Sequence, residues 1–415
     1  MEKLDNYFDL AQQIYDGCII SDPWLNGKKR FSLEPITIER LGYKKLSEAA
    51  ERVGKLYDEF AKIVWDNPNL LGEYFHLTPY QKLMWLSSNG HWHGISRLDV
   101  FKINDGSLKV CEMNSDTPSG EAEAVVLNEI FYKKYKNFLN PNKDFEKIFC
   151  SMILELYKSV SEKSDPPSIG ILYPTEMPED LSMIAIYKKW FENLGFVVTL
   201  GSPYNLRSLP NNEVSLFNTK IDIIFRHYKT DWWGERLKIW YNEEELPDPE
   251  PLDYQIKLII ESELANKLAI VNPLGAVLTQ NKLSISFFWE KTNLFSSESV
   301  KTIKELIPET YKIKTLINKD IKKDEWVLKS DYGCEGSEVI IGLFVSQDVW
   351  DKSLKNAIPE HWILQKFFDA EKNKNGETPN YGVYLIGGIA SGIFTRLSKE
   401  GTDYHSITAP TFVVN

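Results

Sequence analysis

The spacing of apolar and polar positions changes character along the chain. Over residues 43–65, Leu46, Ala49, Val53, Leu56, Tyr57 and Phe60 recur every three or four residues. That period predicts an amphipathic helix with this stripe facing a core. Residues 1–96 as a whole read as mainly helical, punctuated by Pro68, Gly72 and Pro79. The period then drops to two. Residues 98–103 and 108–113 are rich in apolar and β-branched side chains and flank Asn104-Asp105-Gly106-Ser107, a hairpin signal. Between residues 167 and 228 the rhythm alternates. A strand at 169–173 precedes a helical pattern at 181–194 closed by Gly195, then strands at 196–200 and 221–225. Strand, helix, strand in this order predicts a parallel α/β sheet. Residues 246–251, Leu-Pro-Asp-Pro-Glu-Pro, read as a stiff connector. Further strands are expected at 326–329 and 362–367, and a hairpin at 381–395 around Gly387-Gly388.

The 97–114 hairpin carries the densest candidate chemistry. If Asp105-Gly106 is a two-residue loop, Asp99 falls opposite Glu112 and Arg97 opposite Asn114, all on one face. A four-residue loop keeps that pairing; an odd loop or a bulge shifts it. Two carboxylates facing each other repel unless a cation or a shared proton lies between them. With the neutral oxygen of Asn114 they form a hard oxygen set suited to Mg²⁺, which completes its shell with phosphate oxygens and water. The same spacing also describes a solvated hairpin face with no chemistry.

Composition narrows the classes. The chain has 415 residues, 43% hydrophobic and 26% charged, an ordinary globular balance of two or three lobes. Lys and Arg number 48 against 59 Asp and Glu, a net charge of −11. That argues against a nucleic-acid partner and is compatible with a cationic substrate such as a polyamine. Cys18, Cys111, Cys150 and Cys334 show no metal-ligand spacing and suit a reducing cytosol. No signal peptide or membrane span is evident, so a cytoplasmic location is expected. His91 and His93 invite a zinc reading, but no third ligand accompanies them, and packing is the simpler role.

Arg97-x-Asp99 followed by Glu112-x-Asn114-x-Asp116-Thr117-Pro118 resembles the metal-binding segment of the glutathionylspermidine synthase family. The resemblance continues in order through 221–233, 272–290, 326–341, 362–368 and 381–408. It implies an α/β (α+β) ATP-grasp fold with a pre-ATP-grasp α/β lobe, and an ATP-dependent carboxylate–amine ligase working through an acyl phosphate. Its divisions would be a helical segment at 1–96, the metal hairpin and helix at 97–165, the pre-ATP-grasp lobe at 166–270 and the ATP lobe at 271–415. Mg²⁺ would be held by Asp99, Glu112 and Asn114, and ATP by Lys282, Lys329, Gly333, Gly336 and Gln365. Arg97 and Arg396 would be catalytic. Thr117 and Ser119 would meet the carboxylate substrate, a small molecule or peptide, and Glu179 and Asp180 the amine, a polyamine in the family. Residue chemistry alone leaves alternatives open. Thr117 and Ser119 could simply cap the helix that follows, with Glu121 at its positive end, and Glu179 and Asp180 could serve the next helix in the same way. Residues 333–336 could be only a turn, and Arg396 a surface ion pair.

The chain departs from the resembling family at three places. Cys334 stands where an arginine commonly meets the acid, Ser330 where proline is usual, and Gly275 where tryptophan is common. Cys334 leaves the acid and the amine unassigned. The amidase domain of the family's bifunctional members is not expected in the 96 residues before Arg97. A degenerate nucleotide-binding module and a kinase acting on a hydroxyl are the competing functions. The intact Arg97, Asp99, Glu112, Asn114 and Lys329 oppose the first, and product analysis separates the second.

Overall fold

The computed structural model describes residues 6–177, 180–234, 237–243, 252–316, 321–333, 338–399, 401–403 and 405–414. The 43–65 periodicity corresponds to a long helix, Arg40–Asp66, whose buried residues include all six of the predicted stripe. Its apolar face lies on a five-stranded antiparallel sheet. That sheet runs in the order Ile407–Ala409, Ile389–Ser398, Thr378–Ile386, Ile95–Lys102 and Leu108–Asn114. The 97–114 hairpin therefore completes a sheet begun by the C-terminal strands. Side-chain alternation sorts the sheet's two faces. Leu98, Val383, Leu385 and Ile393 join the core under Arg40–Asp66, whereas Ile95, Tyr384, Ile386 and Phe394 face helices Glu121–Tyr132 and Phe145–Ser159.

The predicted βαβ region forms a four-stranded parallel sheet in the order Ala269–Val271, Ile223–Arg226, Ser168–Leu172 and Val197–Gly201. Its strands are almost wholly apolar because both faces are covered. Ile169, Ile171, Ile223 and Phe225 meet helix Leu181–Asn193 on one side, and Leu172, Ile224 and Ile270 the core containing helix Asp253–Leu264 on the other. A third sheet is antiparallel, in the order Thr310–Lys312, Trp362–Lys366, Trp326–Ser330 and Val339–Ile341. Leu328, Trp362 and Leu364 pack beneath helix Gln347–Asn356, with Trp350 at the centre of that cluster. Val327, Lys329 and Gln365 alternate to the opposite face, which is open to a cavity. Helices also dominate before residue 95, although the short strand Ile36–Glu39 pairs in parallel with Thr411–Val414. The connector expected at 246–251 lies outside the described residues.

Three sequence-distant segments are fastened by Asn272. Its Oδ1 accepts from Gly94 N at 3.0 Å and Ile95 N at 2.8 Å, and its Nδ2 donates to the carbonyls of Ile95, Ser115 and Asp116 at 2.8–2.9 Å. Both ends of the hairpin are thus tied to the end of the last parallel strand. Beside it, fully buried Arg226 pairs with Asp116 at 2.6 Å and donates to the carbonyls of Asn272 and Tyr228. Removing Asp116 leaves a guanidinium uncompensated in the interior. Asp116→Ala is expected to lower unfolding free energy by about 3–5 kcal/mol. Denaturant titration checks this; an unchanged midpoint would mean that water reaches Arg226.

Candidate active site

The hairpin turn is not the simple two-residue loop. Gly106 sits at φ +83°, and Ile103 N bonds to Ser107 O, which makes a three-residue loop over Asn104, Asp105 and Gly106. An odd loop shifts the ladder by one. A bulge at Cys111 shifts it back, since Val100 pairs with Val110 while Asp99 pairs with Glu112 and Arg97 with Asn114. The expected pairing of the charged residues stands, through two compensating irregularities.

Asp99 is the electrostatic centre. One carboxylate oxygen accepts from Arg97 Nε at 3.2 Å, and the other from Arg396 Nη2 at 2.6 Å and Asn380 Nδ2 at 3.1 Å. Burial alone would raise its pKa; the charges of Arg396 and Arg97 outweigh it and hold the carboxyl at about 2. Arg396 is therefore an internal partner of Asp99 and not a surface ion pair. Glu112 is more open, with Lys282 Nζ 3.8 Å away. Arg97 also donates through Nη1 to Ser119 O at 2.6 Å, and Tyr384 Oη donates to the same carbonyl at 2.8 Å. This fixes the entry to helix Glu121–Tyr132.

The capping role considered for Thr117 and Ser119 does not hold. The N-cap is Gly120, in the left-handed region at φ +94°, with no side-chain cap. A Cβ there would lie 2.5 Å from the Phe394 ring, so only glycine fits the turn that aims Ser119 at Arg97. Thr117 and Ser119 remain half-buried beside it. Glu121 is not an ionised partner for the helix end either, because complete burial pushes its pKa up to about 8.

Lys329 and Gln365 meet across the third sheet, with Lys329 Nζ donating to Gln365 Oε1 at 2.8 Å. Gln365 Nε2 reaches back to Cys111 O at 3.2 Å, which links that sheet to the hairpin bulge. Lys282 Nζ donates to Gly333 O. Between the two sheets lies a cavity of about 410 Å³. Asp99, Glu112, Lys329, Gln365 and Gly333 border it on one side, and Val327, Ile341 and Phe344 give it an apolar wall. Size and lining suit a nucleotide, with a flat apolar region for a base and cations for phosphates.

Asp180 stands apart from this cavity and pairs with His227 at 3.4 Å. Glu179, Cys334 and Gly336 lie outside the described residues. His93 packs with Ser96 Oγ at 3.0 Å, its pKa pulled down to about 4 by burial, and the described residues hold no cluster of three or more His, Cys, Asp or Glu that could bind a metal. Sequence reasoning assigned nothing to Asn380, Arg226 or Asn272, whose partners are sequence-remote. Asp116 lies in the quoted motif, and Arg226 and Asn272 in the resembling segments 221–233 and 272–290, but none of these signals names a partner. Of the adjacent Trp232 and Trp233, Trp233 is packed, donating to Tyr228 O, while Trp232 borders a second cavity.

The model of the glutathionylspermidine synthase preATP-grasp family matches residues 36–414. The chain belongs to that family. Among solved structures, a glutathione synthetase-like effector from Globodera pallida, in its apo form, superposes with TM-score 0.65 at 13% identity, covering 98% of this chain and 96% of that one. A gamma-glutamylcysteine synthetase described as putative, from Methylobacillus flagellatus, gives TM-score 0.45 at 14% identity, covering 91% and 88%. No curated protein sequence matches. The fold is that of the ATP-grasp synthetases with a pre-ATP-grasp α/β lobe, as the sequence resemblance implied. The family is one of synthetase-type ligases.

Within that family frame, the departure at Gly275 has a steric cause. Gly275 N bonds to Ser88 Oγ at 2.7 Å, and any Cβ would sit 2.2 Å from His91 O, so the turn before the hairpin fills the space of a larger side chain. The donor set also fits a hard cation. Asp99 Oδ1 takes one donor, which leaves it a lone pair, and Glu112 borders the cavity; Asn114 is half-buried, and its Oδ1, not its unpartnered Nδ2, is the atom able to ligate.

The depressed pKa of Asp99 sets a pH window. A carboxyl ionised more readily folded than unfolded adds stability above its unfolded pKa of roughly 4, and that stability fades as pH falls toward the folded value. The stability gap between wild type and Asp99→Asn is expected to be constant above about pH 5 and to narrow below about pH 4. Denaturant unfolding across that range measures it; a constant gap throughout would mean that folding leaves the Asp99 pKa unshifted.

Proposed function

We propose that this protein is an ATP-dependent carboxylate–amine ligase that forms an amide through an acyl phosphate. The observation that carries the reading is the 410 Å³ cavity in which Asp99, Glu112, Lys329 and Gln365 converge from two sheets. ATP would lie with its base against Val327, Ile341 and Phe344. Asp99, Glu112 and Asn114 would hold Mg²⁺, which when bound neutralises phosphate charge and polarises the γ-phosphoryl oxygens.

The residues divide the remaining work. Lys329 and Lys282, now engaged with Gln365 and Gly333, would turn their ammonium groups to phosphate oxygens. Arg97 and Arg396, both clamped by Asp99, would stabilise the charge on a substrate carboxylate as it accepts the phosphoryl group. Ser119 and Thr117 would align that carboxylate, and Asp180, with Glu179 beside it in sequence, would meet the amine. Much of the acceleration would come from alignment and preorganised charge. Gly333 and Gly336 would belong to a covering loop that keeps the acyl phosphate from water. Three free cysteines among the described residues, and no described helix long and apolar enough to cross a membrane, fit the cytoplasmic setting proposed here.

The test is release of ADP and phosphate with ATP, Mg²⁺ and a matrix of peptide acids and polyamines. One acid–amine pair is expected to stimulate turnover, with Asp99→Ala, Glu112→Ala and Lys329→Ala each losing at least about 10²-fold. A stable phosphoester product would point instead to a kinase. ATP binding without stimulation by any pair would favour a nucleotide-binding module.

A further inference from the structure

A second cavity, of about 210 Å³, adjoins the proposed nucleotide cavity. Gly333 borders both. The second cavity is built from the loop after strand Ile223–Arg226, which supplies Asp231 and Trp232, and from the ends of strands Trp326–Ser330 and Trp362–Lys366. At those ends Asp331 and His361 face each other one rung beyond the Ser330–Trp362 pair. Asp331 N donates to His361 O at 2.9 Å, and the two side chains meet at 2.6 Å between Asp331 Oδ2 and His361 Nδ1.

This arrangement has chemical consequences. A carboxylate on Nδ1 fixes the proton there and leaves Nε2 as the basic nitrogen. His361 lines the cavity, and its Nε2 makes no hydrogen bond among the described residues. The pair is also tied to the phosphate lysines. Asp331 lies two residues after Lys329, its carbonyl accepts from Lys282 N at 2.8 Å, and His361 immediately precedes the strand that carries Gln365. Nothing in the nucleotide site uses this dyad. A ligase nonetheless needs a base, because an amine is an ammonium at neutral pH and cannot attack until it loses a proton. Asp231 and Glu338 bring carboxylates, and Trp232 and Tyr332 aromatic rings, to a lining that Lys229 and His76 share. Lys229 Nζ already lies 4.8 Å from the Trp232 ring centroid.

We propose that the second cavity admits the amine, and that His361, oriented by Asp331, is the base that deprotonates it. This rests on the ligase reading and deepens it. His361 Nε2 takes one proton from the ammonium. The freed lone pair forms the C–N bond at the acyl carbon. The C–O bond to phosphate breaks with its electron pair on the leaving phosphate, which takes the second nitrogen proton. The loop from Arg226 to Trp233 joins this cavity to Asp180 through His227, so a polyamine could place one ammonium near each.

The surroundings keep His361 basic. Burial lowers its pKa, but the hydrogen bond and charge of Asp331, with a smaller contribution from Glu360 and against Lys312, leave it above the ordinary value. His76, with its ring 6.3 Å away, has its own pKa lowered by burial, Lys312 and His361.

Hydroxylamine separates base catalysis from structural support, because it is neutral at pH 7 and needs no deprotonation. The full chain would be assayed with ATP, Mg²⁺ and a panel of peptide acids, using butylamine or hydroxylamine as nucleophile. In His361→Gln the ratio of butylamine to hydroxylamine rates is expected to fall about 10²-fold or more. In Asp331→Asn the acidic limb of the butylamine pH–rate profile is expected to move to lower pH. Equal losses with both nucleophiles, or an unmoved limb in Asp331→Asn, would overturn the assignment of the base. Absence of hydroxamate from the wild-type protein would overturn the ligase reading itself, and this inference with it.

Discussion

Buried Asn272 is the constraint on which the arrangement depends. A side-chain amide can make up to four hydrogen bonds by the usual count. This one spans five backbone groups at the two ends of the hairpin. Each of those groups would be costly to bury unpaired. The hairpin can therefore occupy only one position relative to the parallel sheet, and the Asp116–Arg226 pair locks the same joint from the side. Asp99 and Glu112 are placed accurately because the hairpin that carries them is held at both ends.

A second constraint follows inside the site. Two guanidinium groups converge on Asp99, which keeps it ionised and holds both arginines rigid. Arg97 passes that rigidity to Ser119, and Gly120 lets the chain turn there against Phe394. A charge cluster with so little freedom suits stabilisation of phosphoryl transfer, where little reorganisation is needed at the moment of reaction. The two lysines proposed to meet phosphate differ in kind. Lys329 and Lys282 are held by a neutral amide and a carbonyl, contacts that a phosphate would readily replace.

Much of the architecture was legible from periodicity. The Arg40–Asp66 helix and its stripe, the parallel βαβ lobe and the Gly387-Gly388 hairpin all follow from local spacing, because each element buries a continuous face. The opposition of Asp99 and Glu112 was also legible, although its stated cause was not. The three-residue loop and the Cys111 bulge cancel, and no local signal distinguishes that from a simple turn. Thr117 and Ser119 looked like caps because hydroxyl residues before a helix usually are. Here the steric demand of Phe394 on Gly120 moved the cap to glycine.

By itself the sequence determined the helices and strands, the acid–amide face of the hairpin and the family, since all of these depend on residues close in sequence or on an ordered series of motifs. Only the tertiary structure decided which remote groups complete the site. Arg396 and Asn380 reach Asp99 across 297 and 281 residues, and Gln365 reaches Cys111 across 254. His361 meets Asp331 because two strand ends come into register. Hydrophobic period specifies which face of each element is buried, but the choice of polar partners is made when those faces pack and every buried donor and charge must find a partner.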